Sequence, residues 1–234
     1  RIIKRNIEKM NIVKDYRNFA LSKGLGSSQI DSQEKQQVSN LAGTPMILEE
    51  RQMNVAPFDV FSRLMYDRII FLSGEVTSDS MDTIVAQLLY LDSVDNRDIN
   101  IYINSPGGDC YSGLELCSTM DFIKSNVRTT VFGMAASMGA VIASNGEKGK
   151  RSMLPYSRFM IHQPSSYSGR IKFTDQRIEL EELEKTRNDL YEVLSRNSNN
   201  SIEKIIELCE NGDKWLKADE AISLGFIDNV IIKK

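Results

Sequence analysis

The sequence predicts an α/β protein organised on a largely parallel sheet. Three observations lead there. Short apolar runs bounded by turn residues recur, each is followed by a segment of helical periodicity, and the strand–helix pairs repeat at intervals of about 30 residues. That interval matches right-handed crossover units, whose returning strands lie parallel.

The first pair is "RIIFLSG" from Arg68, a buried-strand pattern, followed by "DSMDTIVAQLLYLDSV". Ile84, Val85, Leu88, Leu89 and Leu91 form an amphipathic stripe there, with Ser80 or Asp79 as the expected cap. The strand "INIYIN", the turn "SPGG" and a helix over Ser112–Ile123 form the second pair. The strand "RTTVFG" and a helix from Ser137 form the third. "KRSML" and "RFMIH" read as two short strands separated by the turn "PYS". Residues 173–197 carry the longest helical pattern, with Phe173, Leu180, Leu183, Leu190 and Leu194 on one stripe. At 1.5 Å per residue it reaches ~35–38 Å, more than a compact domain of this size needs, so it is expected to project or to pack on a partner. Ser201 caps a further helix, "KADEAISLG" forms the last one closed by Gly225, and "FIDNVII" ends as a strand.

Composition narrows the function classes. The chain has 234 residues, 41% hydrophobic and 26% charged, with a net charge of −3. That balance gives no reason to expect nucleic acid or an anionic membrane as partner. No apolar run approaches the ~18–20 residues of a membrane span. Cys110, Cys117 and Cys209 are odd in number and lack a C-x-x-C pair, which argues against a disulfide framework and a zinc ribbon. Residues 1–43 differ from the remainder. They hold eight Lys/Arg against four Asp/Glu, while residues 44–234 hold twenty-one against twenty-eight. The polar stretch "SSQIDSQEKQQVSN" and the start at Arg1 mark residues 1–43 as an expected flexible leader remnant or pro-segment.

Chemistry concentrates in two stretches. A single histidine, His162, and the lack of H-E-x-x-H or D-x-D-x-D-G spacing argue against a catalytic metal. No G-x-x-x-x-G-K-[ST] or G-x-G-x-x-G cradles a phosphate. In "YINSPGGD", Gly107 and Gly108 follow a strand's carboxyl end, where α/β sheets place ligands and where bare backbone N–H groups can bind an anionic oxygen. Ser137, in "TTVFGMAASMGAVIAS", stands between a strand and a helix N-terminus among small residues. It reads either as a nucleophile or as a packing corner that happens to contain serine. Gly133 lies four residues before it, so this is not a G-x-S-x-G elbow. A serine nucleophile needs a base, and only His162 is available as histidine. The orienting carboxylate cannot be chosen among 32 acids from spacing alone.

Taken in order, "PFDVFSRLMYDRIIFLSGEV", "IYINSPGGD", "GMAASMGA", "KGKRSMLPYSRFMIHQP" and "DKWLKADEAISLGFID" resemble the signatures of the Clp protease proteolytic subunit family (ClpP). The resemblance runs from about Pro45 to Ile231. It implies an α/β ClpP/crotonase-like fold of repeated ββα spiral units with a projecting helical handle. The implied division is a protease domain over 44–234, with an axial N-terminal segment at 44–62 and the handle at 165–197. It assigns the nucleophile to Ser137, the general base to His162 and the third triad member to Asp213, with the backbone N–H groups of Gly108 and Met138 as oxyanion donors. Substrate is expected as an extended strand between Asp109–Gly113 and Pro164–Ser168, so Asp109, Cys110, Tyr111, Pro164, Ser165 and Ser166 are the implied substrate-binding residues. Tyr102 and Leu154 match the surface that docks an unfoldase.

The resemblance also implies an ATP-dependent serine endopeptidase subunit in a heptameric ring, stacked as a tetradecamer and fed unfolded polypeptides by an AAA+ Clp unfoldase that consumes the ATP. No cofactor, metal, nucleic acid or membrane is expected for this chain. Its leader and its many Asn, Lys and Ile residues point to an organelle of bacterial descent, a relict plastid (apicoplast-like) before the mitochondrial matrix, with the bacterial cytoplasm as the alternative. Three departures from the family pattern stand out. Serines replace a Gly-Gly pair after "QP", Gly212 stands where Arg is usual, and Asn100 stands where many members have an aromatic. Two further readings are a catalytically silent subunit of a mixed ring, whose kind usually lacks triad residues, and a crotonase-type acyl-CoA enzyme, against which "MIHQP" argues.

Overall fold

Parallel pairing of strands separated by helices is what the sequence pattern demands, and the computed structural model, which describes residues 46–51, 54–165 and 172–232, contains it. The chain divides into two compact units between Arg63 and Leu64. Of the first unit, strands β1 (Met46–Arg51) and β2 (Asn54–Asp59) form an antiparallel hairpin pairing Met46 with Asp59. Helix α1 (Val60–Tyr66) follows. The expected leader, residues 1–43, lies outside the described residues.

The second unit is built on β3 (Ile69–Val76), β4 (Ile99–Gly108), β5 (Val127–Ala136), β6 (Arg151–Met153) and β9 (Asn229–Val230), parallel and in that spatial order. Helices α2 (Ser78–Val94), α3 (Cys110–Phe122) and α4 (Met138–Ser144) connect them. Along β4 burial alternates. Ile99, Ile101 and Ile103 are buried, whereas Tyr102 is half-buried and Asn104 exposed. Parallel sheets covered on both faces read as continuous apolar runs. Here one face takes the helices, and the other carries Phe71, Tyr102 and Phe132, all half-buried, with ring centroids 5.7–6.2 Å apart.

Local signals set the helix ends, with corrections to the sequence reading. Thr77, not Ser80 or Asp79, caps α2, accepting the Ser80 N–H while the Ser80 hydroxyl accepts the Thr77 N–H. Met81, Ile84, Leu88 and Leu91 then bury one stripe of α2, each such side chain contributing about 1.5–3 kcal/mol. Helix α3 begins two residues before the expected Ser112, because Asp109 caps it through the Ser112 N–H at 2.8 Å. Ser201 caps α6 (Ile202–Glu210) as expected. The last helix, α7 (Ala218–Ser223), is closed by Gly225 at φ +75°. The final strand is shorter than "FIDNVII", since Phe226 and Ile227 leave the sheet and bury in the core.

The long helix α5 spans Phe173–Ser198, about 39 Å at 1.5 Å per residue. Its two halves differ. Leu190, Tyr191 and Leu194 are buried, Leu183 is half-buried, and Ile178 and Leu180 stand exposed, so only the C-terminal half of the expected stripe joins the core. Residues 166–171 of the expected handle, and the side chain of Phe173, lie outside the described residues. No described helix is long and apolar enough to cross a membrane.

Candidate active site

The site is assembled by a fork in the sheet. The first half of β5 pairs with β6, matching Thr129–Val131 to Arg151–Met153. Its second half pairs instead with β7 (Arg158–Ile161), matching Met134–Ala136 to Arg158–Met160. Asn104 holds the branch point, where its Oδ1 accepts the Met134 N–H at 3.1 Å. On its other side β7 runs antiparallel to β8 (Lys214–Leu216), with Ile161 opposite Lys214. Register does the rest. The residue after Ala136 is Ser137, the residue after Ile161 is His162, and the residue before Lys214 is Asp213, so the three converge at one end of β7.

Their side chains are in line. Ser137 Oγ lies 2.8 Å from His162 Nε2, and His162 Nδ1 lies 3.1 Å from Asp213 Oδ1. An ionised carboxylate can only accept, so Nδ1–H donates to Asp213 and Nε2 is left to accept the serine hydroxyl. The site is open: the His162 side chain is 27% exposed and that of Asp213 57%. The alignment puts an imidazole nitrogen within hydrogen-bond reach of the Ser137 hydroxyl.

Ser137 occupies a strained backbone conformation. Its φ of +54° and ψ of −124° are rare for a residue with a Cβ, and holding one there costs about 1–3 kcal/mol. The Ser137 N–H donates to Met160 O at 2.9 Å, which locks the elbow onto β7. Helix α4 starts at the next residue, Met138, and runs only seven residues, so the local N–H groups matter more than a long macrodipole.

The glycine turn closes against this elbow. Gly107 adopts φ +92°, and a Cβ there would stand 2.6 Å from Ala136 O, 2.7 Å from Ser137 Cβ and 2.9 Å from Met138 N. Only glycine allows that approach. Of the two glycines the resemblance names Gly108 as a donor, beside Met138, and the one that stands closest to the Ser137 elbow is its neighbour Gly107. Gly108 follows at φ +149°, where a Cβ would strike Val76 O.

Other expected residues are distributed differently. Asp109 spends its carboxylate on capping α3, accepting from Ser112 N and, at 2.6 Å, from Ser112 Oγ. Of the segment expected to flank the substrate, Asp109 is the cap and Cys110–Gly113 the first residues of α3. The Gly113 and Ser112 N–H groups are already bonded to Asp109. The Tyr111 hydroxyl lies 3.4 Å from Glu182 Oε1 and 3.5 Å from Thr186 Oγ1 on α5, directed at the long helix and not at the triad. Pro164 and Ser165 run on from His162 without regular structure, and Ser166 lies outside the described residues. Burial pushes all three thiols up, Cys117 and Cys209 to about 12, so none is poised as a nucleophile. Tyr102 and Leu154 flank β5 on β4 and just beyond β6, on and beside the aromatic face.

The sequence profile of the Clp protease family matches residues 51–234. The chain belongs to the Clp protease family. It is 47% identical over 222 residues to the ATP-dependent Clp protease proteolytic subunit of Bacteroides fragilis, covering 94% of this chain and 99% of that protein. The subunit of the same name from Bacteroides thetaiotaomicron has the same identity and coverage. That from Streptococcus salivarius is 48% identical over 189 residues, 80% of this chain and 96% of that one. The forked sheet and its helices are the α/β fold of the Clp protease family, and Ser137, His162 and Asp213 all fall within the matched residues.

Proposed function

We propose that this chain is the proteolytic subunit of an ATP-dependent Clp protease, a serine endopeptidase that cuts unfolded polypeptides to short peptides. The observation that carries the assignment of roles is the hydrogen-bonded line Ser137–His162–Asp213 at 2.8 and 3.1 Å. The Ser137 hydroxyl attacks the scissile carbonyl as His162 Nε2 takes its proton. Negative charge gathers on the former carbonyl oxygen, which the Gly108 and Met138 N–H groups bind. The C–N bond then breaks, His162 gives the proton to the leaving amine, and the acyl group stays on Ser137. Water, deprotonated by His162, releases it by the reverse sequence. Asp213 holds the imidazole tautomer and stabilises the imidazolium. Every step is assigned to this chain's own groups, with no metal or cofactor, and ATP is consumed by the partner.

Family membership carries an oligomeric ring and an AAA+ Clp unfoldase as partner. Seven subunits per ring and two stacked rings are the finer reading, resting on the family resemblance; the exposed Ile178 and Leu180 on the N-terminal half of α5 support contact with a further subunit and do not set the number. The half-buried Phe71–Tyr102–Phe132 face, with Leu154 beside it, is the proposed docking surface for the unfoldase. The relatives named above are bacterial. The bacterial cytoplasm is accordingly the first location to test, and the plastid rests on residues 1–43 and on composition alone. Cleavage of a short fluorogenic peptide by the assembled protein, beside Ser137→Ala, tests the function. The variant is expected to lose activity by on the order of 10⁴–10⁶-fold, and equal rates would overturn the assignment.

A further inference from the structure

We infer that Ser105 is a positioning residue for the oxyanion-binding turn, its hydroxyl holding the Pro106–Gly108 segment against the Ser137 elbow. This rests on the reading of Ser137 as nucleophile with Gly108 and Met138 as donors. Ser105 is fully buried, on the face of β4 that Ile99, Ile101 and Ile103 otherwise line. A hydroxyl at such a place is costly unless bonded. Ser105 Oγ accepts the Gly107 N–H at 3.1 Å, which orients the peptide plane between Pro106 and Gly107.

The same side chain touches the second donor's segment. A Cβ on Gly139, the second residue of α4, would stand 3.1 Å from Ser105 O, 3.3 Å from its Cβ and 3.5 Å from its Oγ. Ser105 is also the residue at which β4 regains its pairing with β5, opposite Ala135, after the irregularity that follows Ile103. One buried residue therefore braces the turn that ends in Gly108 and the helix that begins at Met138. Alanine would fill the same space, and what serine adds is the acceptor. A developing oxyanion is stabilised only by donors already fixed in place, so a turn free to rotate its peptides loses transition-state binding and leaves ground-state binding intact.

The test compares wild type with Ser105→Ala and Ser105→Cys, a weaker acceptor, after size and melting temperature have been measured. Turnover of a fluorogenic peptide is read with the affinity of a peptide boronate and of the matching peptide carboxamide. The boronate bonds to Ser137 Oγ, the hydroxyl proton passing to His162, and becomes a tetrahedral anion, whereas the carboxamide binds without bond formation. Both variants are expected to lose about 10–100-fold in kcat, with boronate affinity falling in proportion and carboxamide affinity unchanged. Wild-type turnover and boronate affinity would overturn the inference. So would equal loss of boronate and carboxamide binding, or failure of both variants to assemble, since the serine would then serve the fold. Activity surviving in a parallel Ser137→Ala control would instead sink the assignment of the nucleophile.

Discussion

Arg151–Asp228 and His162–Asp213 each join a basic side chain to a carboxylate within one protein, and their surroundings could hardly differ more. Arg151 Nη2 lies 2.6 Å from Asp228 Oδ1, with side chains 2% and 17% exposed. Arg151 Nε also donates to Asp228, and Nη1 donates to Ser144 O and Asn197 O, so one guanidinium ties β6 to the chain's end, to α4 and to α5. The His162–Asp213 contact is longer, at 3.1 Å, and open to solvent. Its imidazole gives one nitrogen to the carboxylate and the other to Ser137. The difference teaches what each pair is for. A buried charge with a partner at each of its three guanidinium nitrogens holds elements together, whereas a half-exposed pair with a serine hydroxyl at its end is open to something that arrives.

The largest effect that separates the two is catalytic. Asp213→Asn keeps the shape and removes the charge that sets the tautomer. It is expected to lower kcat by on the order of 10⁴ and to leave the melting temperature within a degree or so of wild type, a value at which local changes at exposed sites usually stay. A variant that cleaves peptide normally would remove Asp213 from the mechanism.

Arg151→Met should do the opposite. Leaving the half-buried Asp228 without its partner costs at most about 3–5 kcal/mol, up to roughly 6–20 °C in a domain of this size, seen as a lower melting temperature by calorimetry. An unchanged melting temperature would contradict the structural role given to the pair.

Acid should break the buried pair in a predictable direction. Burial pushes the Asp228 carboxyl up, but its hydrogen bonds from Arg151 and the nearby charge outweigh that and hold it below the ordinary carboxylate range. A depressed folded-state value means stability present above the unfolded value of about 4 and lost as pH falls through the folded one. The urea midpoint of wild type should therefore drop from about pH 4 downward, and Asp228→Asn should flatten part of that slope. Parallel slopes in the two proteins would refute the linkage.

The smallest effect is expected at the surface. Arg97 donates to Asp95 at 2.8 and 3.0 Å and helps bring that carboxyl down to about 2, yet the Arg97 side chain is 74% exposed. Arg97→Ala should shift neither melting temperature nor activity beyond error, because exposed pairs are screened by water and salt. A clear loss of stability would mean that the pair acts through Arg68, which also contacts Asp95.

Legibility in the sequence followed the range of the interactions concerned. The alternating strands and helices were readable because their signals are local: apolar periodicity, the Ser201 cap, the Gly225 stop. Cap choice at α2 was not, since Thr77 and Ser80 satisfy each other and spacing does not rank them. Leu180 reads as part of one apolar stripe with Leu190 and Leu194, although it stands exposed while they are buried. In the site, Ser137 and His162 stood out as a serine in a small-residue corner and a lone histidine, and Asp213 entered through family resemblance. Ser105 and Asn104 gave no signal of their own inside "YINSPGGD".

By itself the sequence determined the layered α/β order, the glycine turn, the serine elbow and the short list of groups that could act as nucleophile and base, because each depends on residues adjacent along the chain. Only the tertiary structure decided that β5 forks between β6 and β7, that β7 carries Ser137 on one side and Asp213 on the other, and that Arg151 pairs with the half-buried Asp228. Those outcomes depend on strand register between segments 25 to 77 residues apart. A pairing between distant strands is selected by the packing of the whole sheet, and no window of sequence contains it.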